Sequence, residues 1–454
     1  MTLARTQGGF AEKWKLRTGF VLIPVAHSAG MNIVTVLALR FLTDNLAISA
    51  TAAGLIFALV KIYDGVLDPA VGAWSDNART RWGRRLPFLF AGALLMPIGI
   101  AMVFNTPDFG SVILAQIFLT VALMIHASAY TCLTIPGMAM LVEATDSYHE
   151  RTVLMAYRVF GNSAGVLLGS TIPAYLLSSW GATRSGHSMM SLTIAAIVLA
   201  AGLGAVWLLR DAPRTQPDPD AVRERYSIVT QAKLAWANRP FRQLAVAHIF
   251  VLFGTAVGSM ASAYFSKYVL NFADNMLGTY FLIVTIGSVG SMVLWVRISK
   301  AWGKKMSYIL AMAAYGTVHL FWAAMSGDEP VLLLGALALA AGLSSGGVIL
   351  NAYSMMSDAV RYDYITSGQR REGAFAGFTT LFDKLSAAAG IALMGVFLSS
   401  MGYVVSSTGK VDQPPSAILA ITLCVTLVPA AAMALAILSI RNYRLDETML
   451  VGDD

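Results

Sequence analysis

Residues 48–85 read ISATAAGLIFALVKIYDGVLDPAVGAWSDNARTRWGRR, and the class of the protein can be inferred from them. Its first part, 48–74, is mostly apolar and long enough for a membrane-spanning helix, which needs about 20 apolar residues. Two aspartates, Asp64 and Asp68, interrupt the apolar run at a spacing of one helical turn. Four arginines follow between 79 and 85, as is typical of a cytoplasmic loop. The stretch therefore predicts a membrane helix with acidic residues inside the bilayer.

The composition of the whole chain points to the same class of protein. Of 454 residues, 57% are hydrophobic and only 13% are charged, whereas soluble domains carry about 25% charged residues. This excludes a typical soluble enzyme, a disordered protein and a disulfide-rich protein. Cys132 and Cys424 both lie in apolar runs, so neither a disulfide framework nor a metal cluster is indicated. We attribute the net charge of +7 to basic loops and not to nucleic-acid binding.

Twelve segments are long and apolar enough to span a bilayer. They cover residues 17–42, 48–74, 87–105, 110–140, 152–179, 189–210, 242–270, 275–298, 307–325, 330–357, 373–400 and 415–440. Open strands are excluded because an unpaired sheet edge is not tolerated in lipid, and the alternating pattern of a β-barrel is absent. The sequence thus predicts an all-α membrane protein with twelve transmembrane helices.

The basic residues predict the orientation of these helices. Lysines and arginines concentrate in alternate connecting segments, on the side that also holds both termini. Because cytoplasmic loops are enriched in lysine and arginine, we expect both termini in the cytoplasm. The expected location is the plasma (cytoplasmic) membrane.

Two features predict that the chain is built from two related halves. A polar, proline-rich linker at 211–241 separates an N-terminal bundle, 1–210, from a C-terminal bundle with a short tail, 242–454. The tetrapeptide that starts with Trp82, WGRR, is matched by WGKK from Trp302, half the chain later and in the equivalent loop. Two six-helix halves suggest a transporter that works by alternating access.

Several motifs resemble a known transporter family. GAWSD at 72–76 and RWGRR at 81–85 resemble the loop signature of the major facilitator superfamily, and KIYDGVLDP at 61–69 leads into them. Together with MSDAVRYD…GQRREG at 356–373 and LFDK at 381–384, they resemble the glycoside–pentoside–hexuronide:cation symporter family. The resemblance implies the major facilitator fold and the symport of a sugar or glycoside with Na⁺ or H⁺.

The predicted cation site centres on Asp64 and Asp68. Charges inside a membrane are costly and usually mark ion paths or ion pairs, and two neighbouring carboxylates repel each other unless a cation or a proton binds. In the resembled family the matching aspartates bind the coupling cation, and the resemblance adds Thr131 as a hydroxyl ligand. Thr134, where the family's best-known sugar carrier has a third carboxylate, is a further candidate ligand; the alternative is that its hydroxyl bonds back to its own helix. Alternatively, Lys61 neutralises the aspartates in a structural ion pair.

Polar residues inside other segments are candidates for solute binding: His27, Ser28, Asn32, Tyr130, Arg158, Asn351 and Lys384. His27 can donate to a solute or take up a proton near neutral pH, or it can be a neutral packing residue. By resemblance, Arg158 lies near the sugar and Lys384 faces the aspartates, so both can balance the carboxylates after the cation leaves. The alternative for each is a permanent brace between helices.

Six charged residues at predicted cytoplasmic helix ends are candidates for gating salt bridges that form and break during transport: Asp76, Arg84, Arg85, Asp358, Arg370 and Arg371. A purely topological role for the arginines is the alternative.

The function with the most support from these patterns is ion-driven secondary transport. No P-loop or other ATP-binding motif is found, so we expect no cofactor beyond the coupling ion and no enzymatic activity. The expected partners are a small-molecule solute and the bilayer, and we expect a monomer. A carrier of lysolipids or other amphipathic solutes with the same fold is the main alternative. A membrane-embedded enzyme or sensor has little support.

Overall fold

A computed structural model describes residues 10–145, 147–212, 236–367, 372–445 and 449. All regular elements in these ranges are helices, which confirms the all-α prediction. The α-helices are α1 (Phe10–Ile33), α2 (Leu39–Asn45), α3 (Ala50–Asn77), α4 (Leu86–Phe104), α5 (Val112–Glu143), α6 (Tyr148–Trp180), α7 (Arg184–Leu209), α8 (Arg239–Tyr264), α9 (Asp274–Phe321), α10 (Val331–Ser367), α11 (Glu372–Ser400), α12 (Pro415–Val425) and α13 (Leu427–Ile440). One π-helical turn, Val34–Ala38, joins α1 to α2, and another, Phe265–Val269, follows α8.

The described helices are consistent with twelve membrane crossings. Ten helical stretches are long and apolar enough to cross a membrane. One of them contains α9, which has 48 residues and covers two predicted segments. Helix α9 breaks at Gly303, whose φ of 81° and ψ of 156° are not helical. The 33-residue helix α6 is not among the ten, but it covers a further predicted segment.

The break between α12 and α13 has a local chemical cause. Pro429 has no N–H to donate, so it cannot bond the carbonyl of Val425 one turn earlier. The Nδ1 atom of His319, a buried residue of α9, lies 2.7 Å from that carbonyl oxygen. Because a carbonyl only accepts, Nδ1 carries the proton and donates. This buried histidine therefore satisfies a backbone group that the proline leaves unpaired.

The chain divides into two compact units, residues 1–41 with 66–221 and residues 42–65 with 222–454. The second unit takes in the first half of α3, where Gly54 packs so closely on α11 that an added Cβ would lie 2.9 Å from the carbonyl oxygen of Ile391. The predicted boundaries at 210 and 242 stay a prediction. Of the predicted linker, 213–235 lie outside the described residues.

Helices α1 and α6 pack backbone against backbone in the first unit. Three glycines of α6 spaced by four residues, Gly161, Gly165 and Gly169, face α1. A Cβ at Gly161 would lie 2.3 Å from the carbonyl oxygen of Val21, and one at Gly169 would lie 2.2 Å from that of Ala29. Small residues at this spacing are typical of tightly packed membrane helices. The polar side chains of α6 are thereby placed beside those of α1.

The second unit has a continuous core that positions α8 against α10, α11 and α13. Large buried members of this core are Phe241, Tyr308, Met355, Phe375 and Met433. The rings of Phe241 and Phe375 meet edge to face at 4.7 Å, which fixes α8 beside α11. Polar residues one and two turns further along these helices consequently lie side by side.

Candidate functional site

Asp64 is buried in α3 and forms an ion pair with Lys384 of α11. The Nζ atom of Lys384 lies 3.0 Å from Asp64 Oδ2 and 2.9 Å from the backbone oxygen of the same aspartate. Both side chains are largely shielded from solvent, with 3% and 11% of their surface exposed. A buried carboxylate needs such a partner because an unpaired charge costs several kcal/mol. The lysine therefore neutralises one of the two predicted cation ligands.

Asp68, one turn further along α3, has a different kind of partner. The hydroxyl of Thr131, fully buried in α5, donates to Asp68 Oδ1 at 2.8 Å. The hydroxyl of Thr134 instead donates to the backbone oxygen of Tyr130 at 2.9 Å, within its own helix. The structure thus brings Thr131 to Asp68, whereas the role of Thr134 as a cation ligand stays a prediction.

A hydrogen-bonded chain of three residues crosses from α1 to α6. Ser28 Oγ donates to Asn162 Oδ1 at 2.6 Å and lies 3.1 Å from His27 Nδ1. Since the single serine proton goes to Asn162, His27 Nδ1 is the donor in the second bond. His27 Nε2 is then left buried, without a hydrogen-bond partner among the described residues. The ring of Tyr130 meets the His27 ring edge to face at 5.5 Å.

Arg158 lies one turn before Asn162 on α6 and is half-buried. It makes no hydrogen bond or ion pair with any residue that the structure describes. A guanidinium is a fork of donors suited to carboxylates and hydroxyls. Arg158 is therefore available to a solute in the first unit.

The two predicted asparagines have their amide N–H groups engaged within their own helices. Asn32 Nδ2 donates to the backbone oxygen of Ser28 at 2.8 Å, and Asn351 Nδ2 donates to that of Gly347 at 2.8 Å. Asn351 is only 1% exposed. Their predicted contact with a solute stays a prediction.

The charged residues around the first WG motif form one network. Arg85 lies 2.8 Å from Asp76 Oδ1 and 2.8 Å from Glu143 Oε1, and Arg84 bonds the same oxygen of Glu143. Glu143, at the last turn of α5, was not among the predicted gating residues. An acid at the end of a spanning segment that faces a basic loop is the signal that could have found it.

The loop of the second WG motif has a similar but simpler arrangement. Lys304 Nζ lies 2.6 Å from Asp358 Oδ2 on α10. The other predicted gating residues of this half, Arg370 and Arg371, lie outside the described residues. In both units, a basic residue next to WG therefore pairs with an acid on a neighbouring helix.

Asp44, at the end of α2, accepts hydrogen bonds from several residues that the sequence did not connect. Its carboxylate oxygens lie 2.6 Å from Lys267 Nζ, 2.8 Å from the Tyr268 hydroxyl and 2.6 Å from the Tyr403 hydroxyl. Burial and the charge of Asp44 raise the pKa of Tyr403 well above its usual value, so this phenol stays a donor. We call these residues, with Thr43, the Asp44 cluster.

Comparison with known proteins identifies the family. The family described as MFS/sugar transport protein matches residues 19–447. A putative glycoside/cation symporter of Escherichia coli, YagG, is 29% identical, with 90% of this chain and 86% of that protein covered. The isoprimeverose transporter of Lactiplantibacillus pentosus is 25% identical, with 96% and 89% covered.

Solved structures show the same fold. A bacterial homologue of the human lysosomal transporter Spinster, solved in an inward-facing, unoccupied conformation, superposes with a TM-score of 0.71 at 14% identity. The match covers 97% of this chain and 100% of that one. These findings confirm the predicted major facilitator fold and the expected sugar-transporter family. The chain belongs to the MFS/sugar transport protein family, and it is a multi-pass membrane transporter of a small-molecule solute and not an enzyme.

Proposed function

We propose that this transporter is a symporter that couples the entry of a sugar or glycoside to Na⁺ or H⁺ by alternating access. The relatives named as glycoside/cation symporter and isoprimeverose transporter support this class of solute. The observation that carries the proposal is the ion pair of Asp64 with Lys384, one turn from the hydroxyl-bonded Asp68. No relative named here supports the lysolipid alternative.

The ion pair explains how a cation can be coupled to transport. Moving a bare carboxylate through a low-dielectric environment is costly, so an empty carrier needs an internal partner for Asp64. Lys384 supplies it. When Na⁺ or H⁺ reaches Asp64, the ammonium is released, and the cation-bound carrier has a different charge distribution. Any effect of the cation on solute affinity must be reciprocal, because coupling is a free energy shared by the two ligands.

The two candidate ions use the site differently. Na⁺ requires several oxygen ligands, and the proposed ones are those predicted from the sequence, Asp64, Asp68 and Thr131. A proton requires only one carboxylate. The choice between the two ions is therefore an outcome of the experiment below.

In the first unit, the proposed solute contacts are the unpartnered Nε2 of His27, the ring of Tyr130 and the guanidinium of Arg158. Nε2 accepts a hydroxyl, an aromatic face packs against the C–H surface of a sugar ring, and a guanidinium binds hydroxyls or a carboxylate. We further propose that the chain works as a monomer in the plasma membrane with both termini in the cytoplasm.

Uptake into proteoliposomes tests the proposal. Isoprimeverose, methyl β-D-glucuronide and melibiose are offered with an imposed Na⁺ gradient or pH gradient, each in turn. We expect one gradient to drive accumulation of at least one of these sugars, and the Asp64→Asn, Asp68→Asn double variant to lose that accumulation. Asp328→Asn, which changes an exposed loop acid, is the matched control. Undiminished coupling in the double variant would exclude the mechanism.

A further inference from the structure

The His27–Tyr130 pair of the first unit has a counterpart in the second unit, His248 with Tyr353. The separation of His27 from His248 in the chain is nearly the same as that of Trp82 from Trp302, which open the two WG motifs. The separation of Tyr130 from Tyr353 is also close to it. Two residue types that recur at the offset of the internal repeat occupy equivalent places in the two halves.

The geometry of the two pairs agrees with this equivalence. The rings of His248 and Tyr353 meet edge to face at 6.2 Å and 66°, and those of His27 and Tyr130 at 5.5 Å and 85°. In each unit the histidine lies on its first long helix, α1 or α8, and the tyrosine lies on α5 or α10. The same pair of helices therefore presents the same pair of rings.

A polar residue on another helix is linked to the histidine in each unit, through Ser28 in the first unit and directly in the second. Asp383 follows Asn162 at the same offset by which His248 follows His27, and its Oδ1 lies 2.7 Å from His248 Nε2. Because a carboxylate accepts, Nε2 carries a proton and donates to it. The other ring nitrogen, His248 Nδ1, is buried and has no hydrogen-bond partner in the part of the chain that the structure describes.

His248 and Tyr353 line a cavity of about 390 Å³ whose walls all belong to the second unit. This size is within the range of small-molecule sites, roughly 300–1,000 Å³. The tyrosine keeps 58% of its surface exposed. His319, which also lines the cavity, donates through Nδ1 to a backbone oxygen, so its Nε2 is an acceptor in the neutral ring. The cavity thus combines aromatic faces with ring nitrogens that accept hydroxyl groups.

The unpartnered nitrogen argues against a purely structural role for His248. A buried polar atom without a partner costs roughly 1–3 kcal/mol, so a brace between α8 and α11 alone would be better made by a residue without a second nitrogen. A hydroxyl of a bound solute would satisfy Nδ1.

We infer that His248 and Tyr353 form a second sugar-recognition element, in the cavity of the second unit. His248 Nδ1 accepts a sugar hydroxyl, the ring of Tyr353 packs against the C–H face of the sugar, and Asp383 is a positioning residue that fixes the histidine ring. The inference rests on the proposed function and deepens it, because it assigns a subsite for a sugar unit to residues of the second unit.

Isothermal titration of the purified, full-length protein with isoprimeverose and with methyl β-D-glucuronide tests the inference. His248→Gln and Tyr353→Leu should each weaken binding of the better probe about tenfold, the effect of one lost contact of moderate strength. Tyr353→Phe, which keeps the ring, should bind within about threefold of the wild type. His187→Gln, another buried histidine, is the matched control and should bind normally.

Asp383 has its own test. Asp383→Asn keeps an oxygen that accepts from His248 Nε2 and should stay within about threefold of the wild type, whereas Asp383→Ala should lose about tenfold. Thermal unfolding of each variant in detergent identifies variants that misfold. Where Tyr353→Leu or Asp383→Ala misfolds, the binding measured with the conservative variant, Tyr353→Phe or Asp383→Asn, tests the inference instead.

These measurements distinguish failure of the inference about His248 and Tyr353 from failure of the proposed function. If the wild type binds a probe and His248→Gln and Tyr353→Leu bind it equally well, the inference is wrong and the proposed function stands. If Tyr353→Phe is as weak as Tyr353→Leu, packing by the ring is wrong. If the wild type binds neither probe and takes up no sugar in the uptake assay, the proposed function fails and the inference with it.

Discussion

The charged residues inside the predicted membrane segments have different kinds of partner. Lys384 contacts both a carboxylate oxygen and the backbone oxygen of Asp64, so it neutralises this aspartate, while Asp68 accepts a hydrogen bond from Thr131. Arg158 makes no ion pair with any residue that the structure describes. Charge is thus distributed between an internal ion pair and a guanidinium outside it.

Replacement of Lys384 by alanine should slow net uptake of sugar much more than exchange of labelled for unlabelled sugar. Without the ammonium, the empty carrier must reorient without the Asp64–Lys384 ion pair, at a cost of several kcal/mol, so net uptake should fall at least about tenfold. Exchange of labelled for unlabelled sugar, with cation and sugar saturating on both sides, avoids the empty carrier and should stay within about threefold. Both rates are measured in proteoliposomes.

Lys410→Ala, which removes a loop lysine bonded to Asn271, is the control for the Lys384 variant. Equal losses of exchange and net uptake in Lys384→Ala would show that the lysine supports folding or solute binding and not the return of the empty carrier.

The sequence predicted the intramembrane charges but not all of their partners. Asp64 and Lys384 could be singled out because charged residues are rare in apolar segments. Asn162 and Glu143 were missed, since a polar residue on a helix becomes informative only when the fold shows what it faces. His248 could have been found, because its offset from His27 is close to that of the WG repeat.

Helices in this protein owe their exact limits to a few residues that override the apolar pattern. Gly303 breaks α9 in a conformation that is essentially restricted to glycine, and Pro429 separates α12 from α13. The glycines of α6 bring α1 close enough for Ser28 to reach Asn162. The apolar segments predicted these helices, but a pattern of hydrophobicity does not reveal which helices touch.

Gly303→Ala should destabilise the protein through its backbone alone. A Cβ at Gly303 meets no atom within 4 Å, so crowding is excluded, but the conformation with φ of 81° is unfavourable for alanine. We expect a loss of about 1–3 kcal/mol of stability, seen as a lower thermal midpoint in detergent.

Gly290→Ala in the same helix α9 is the matched control, because its added Cβ also meets no atom within 4 Å and its backbone is helical. Alanine favours a helix over glycine by about 1 kcal/mol, so this variant should be as stable as the wild type or more stable. A Gly303→Ala midpoint equal to that of the wild type would contradict the backbone argument.

Some contacts in this protein recur at the offset of the internal sequence repeat, and others do not. The repeat accounts for the WG loops and the two His–Tyr pairs, and each of its copies lies inside one unit. The Asp44 cluster has no such regularity: it joins Asp44 to Lys267, Tyr268 and Tyr403, which are distant from it in the chain. Such long-range contacts depend on the complete fold, so the sequence alone could not predict them.

The Asp44 cluster should make stability fall at alkaline pH. Tyr403 has a higher pKa in the folded protein than the ordinary value of about 10, so the folded state keeps a proton that the unfolded chain loses. Its stabilising effect, about 2 kcal/mol for a hydrogen bond to a charged group, is complete below pH 10 and declines above it. We expect the thermal midpoint of the wild type to exceed that of Tyr403→Phe at pH 8, and the gap to narrow towards pH 11.

Ionisation of the other tyrosines in the unfolded chain is common to both proteins, so it cancels in the difference between the wild type and Tyr403→Phe. A gap that stays constant from pH 8 to pH 11 would show that Tyr403 does not act through its proton.

The duplicated His–Tyr pair has diverged in the residue that supports each histidine. In one copy the neutral amide of Asn162 reaches the histidine through Ser28 and Arg158 lies one turn away, whereas in the other the carboxylate of Asp383 bonds the histidine directly. The first set therefore has a guanidinium as its neighbour, and the second has a carboxylate. An acidic sugar ring would therefore be attracted by the first set and repelled by the second, whereas a neutral ring meets no such penalty in either. Preference for uronic acids over neutral sugars can consequently change through substitutions in one half of the chain while the other half keeps its own recognition chemistry.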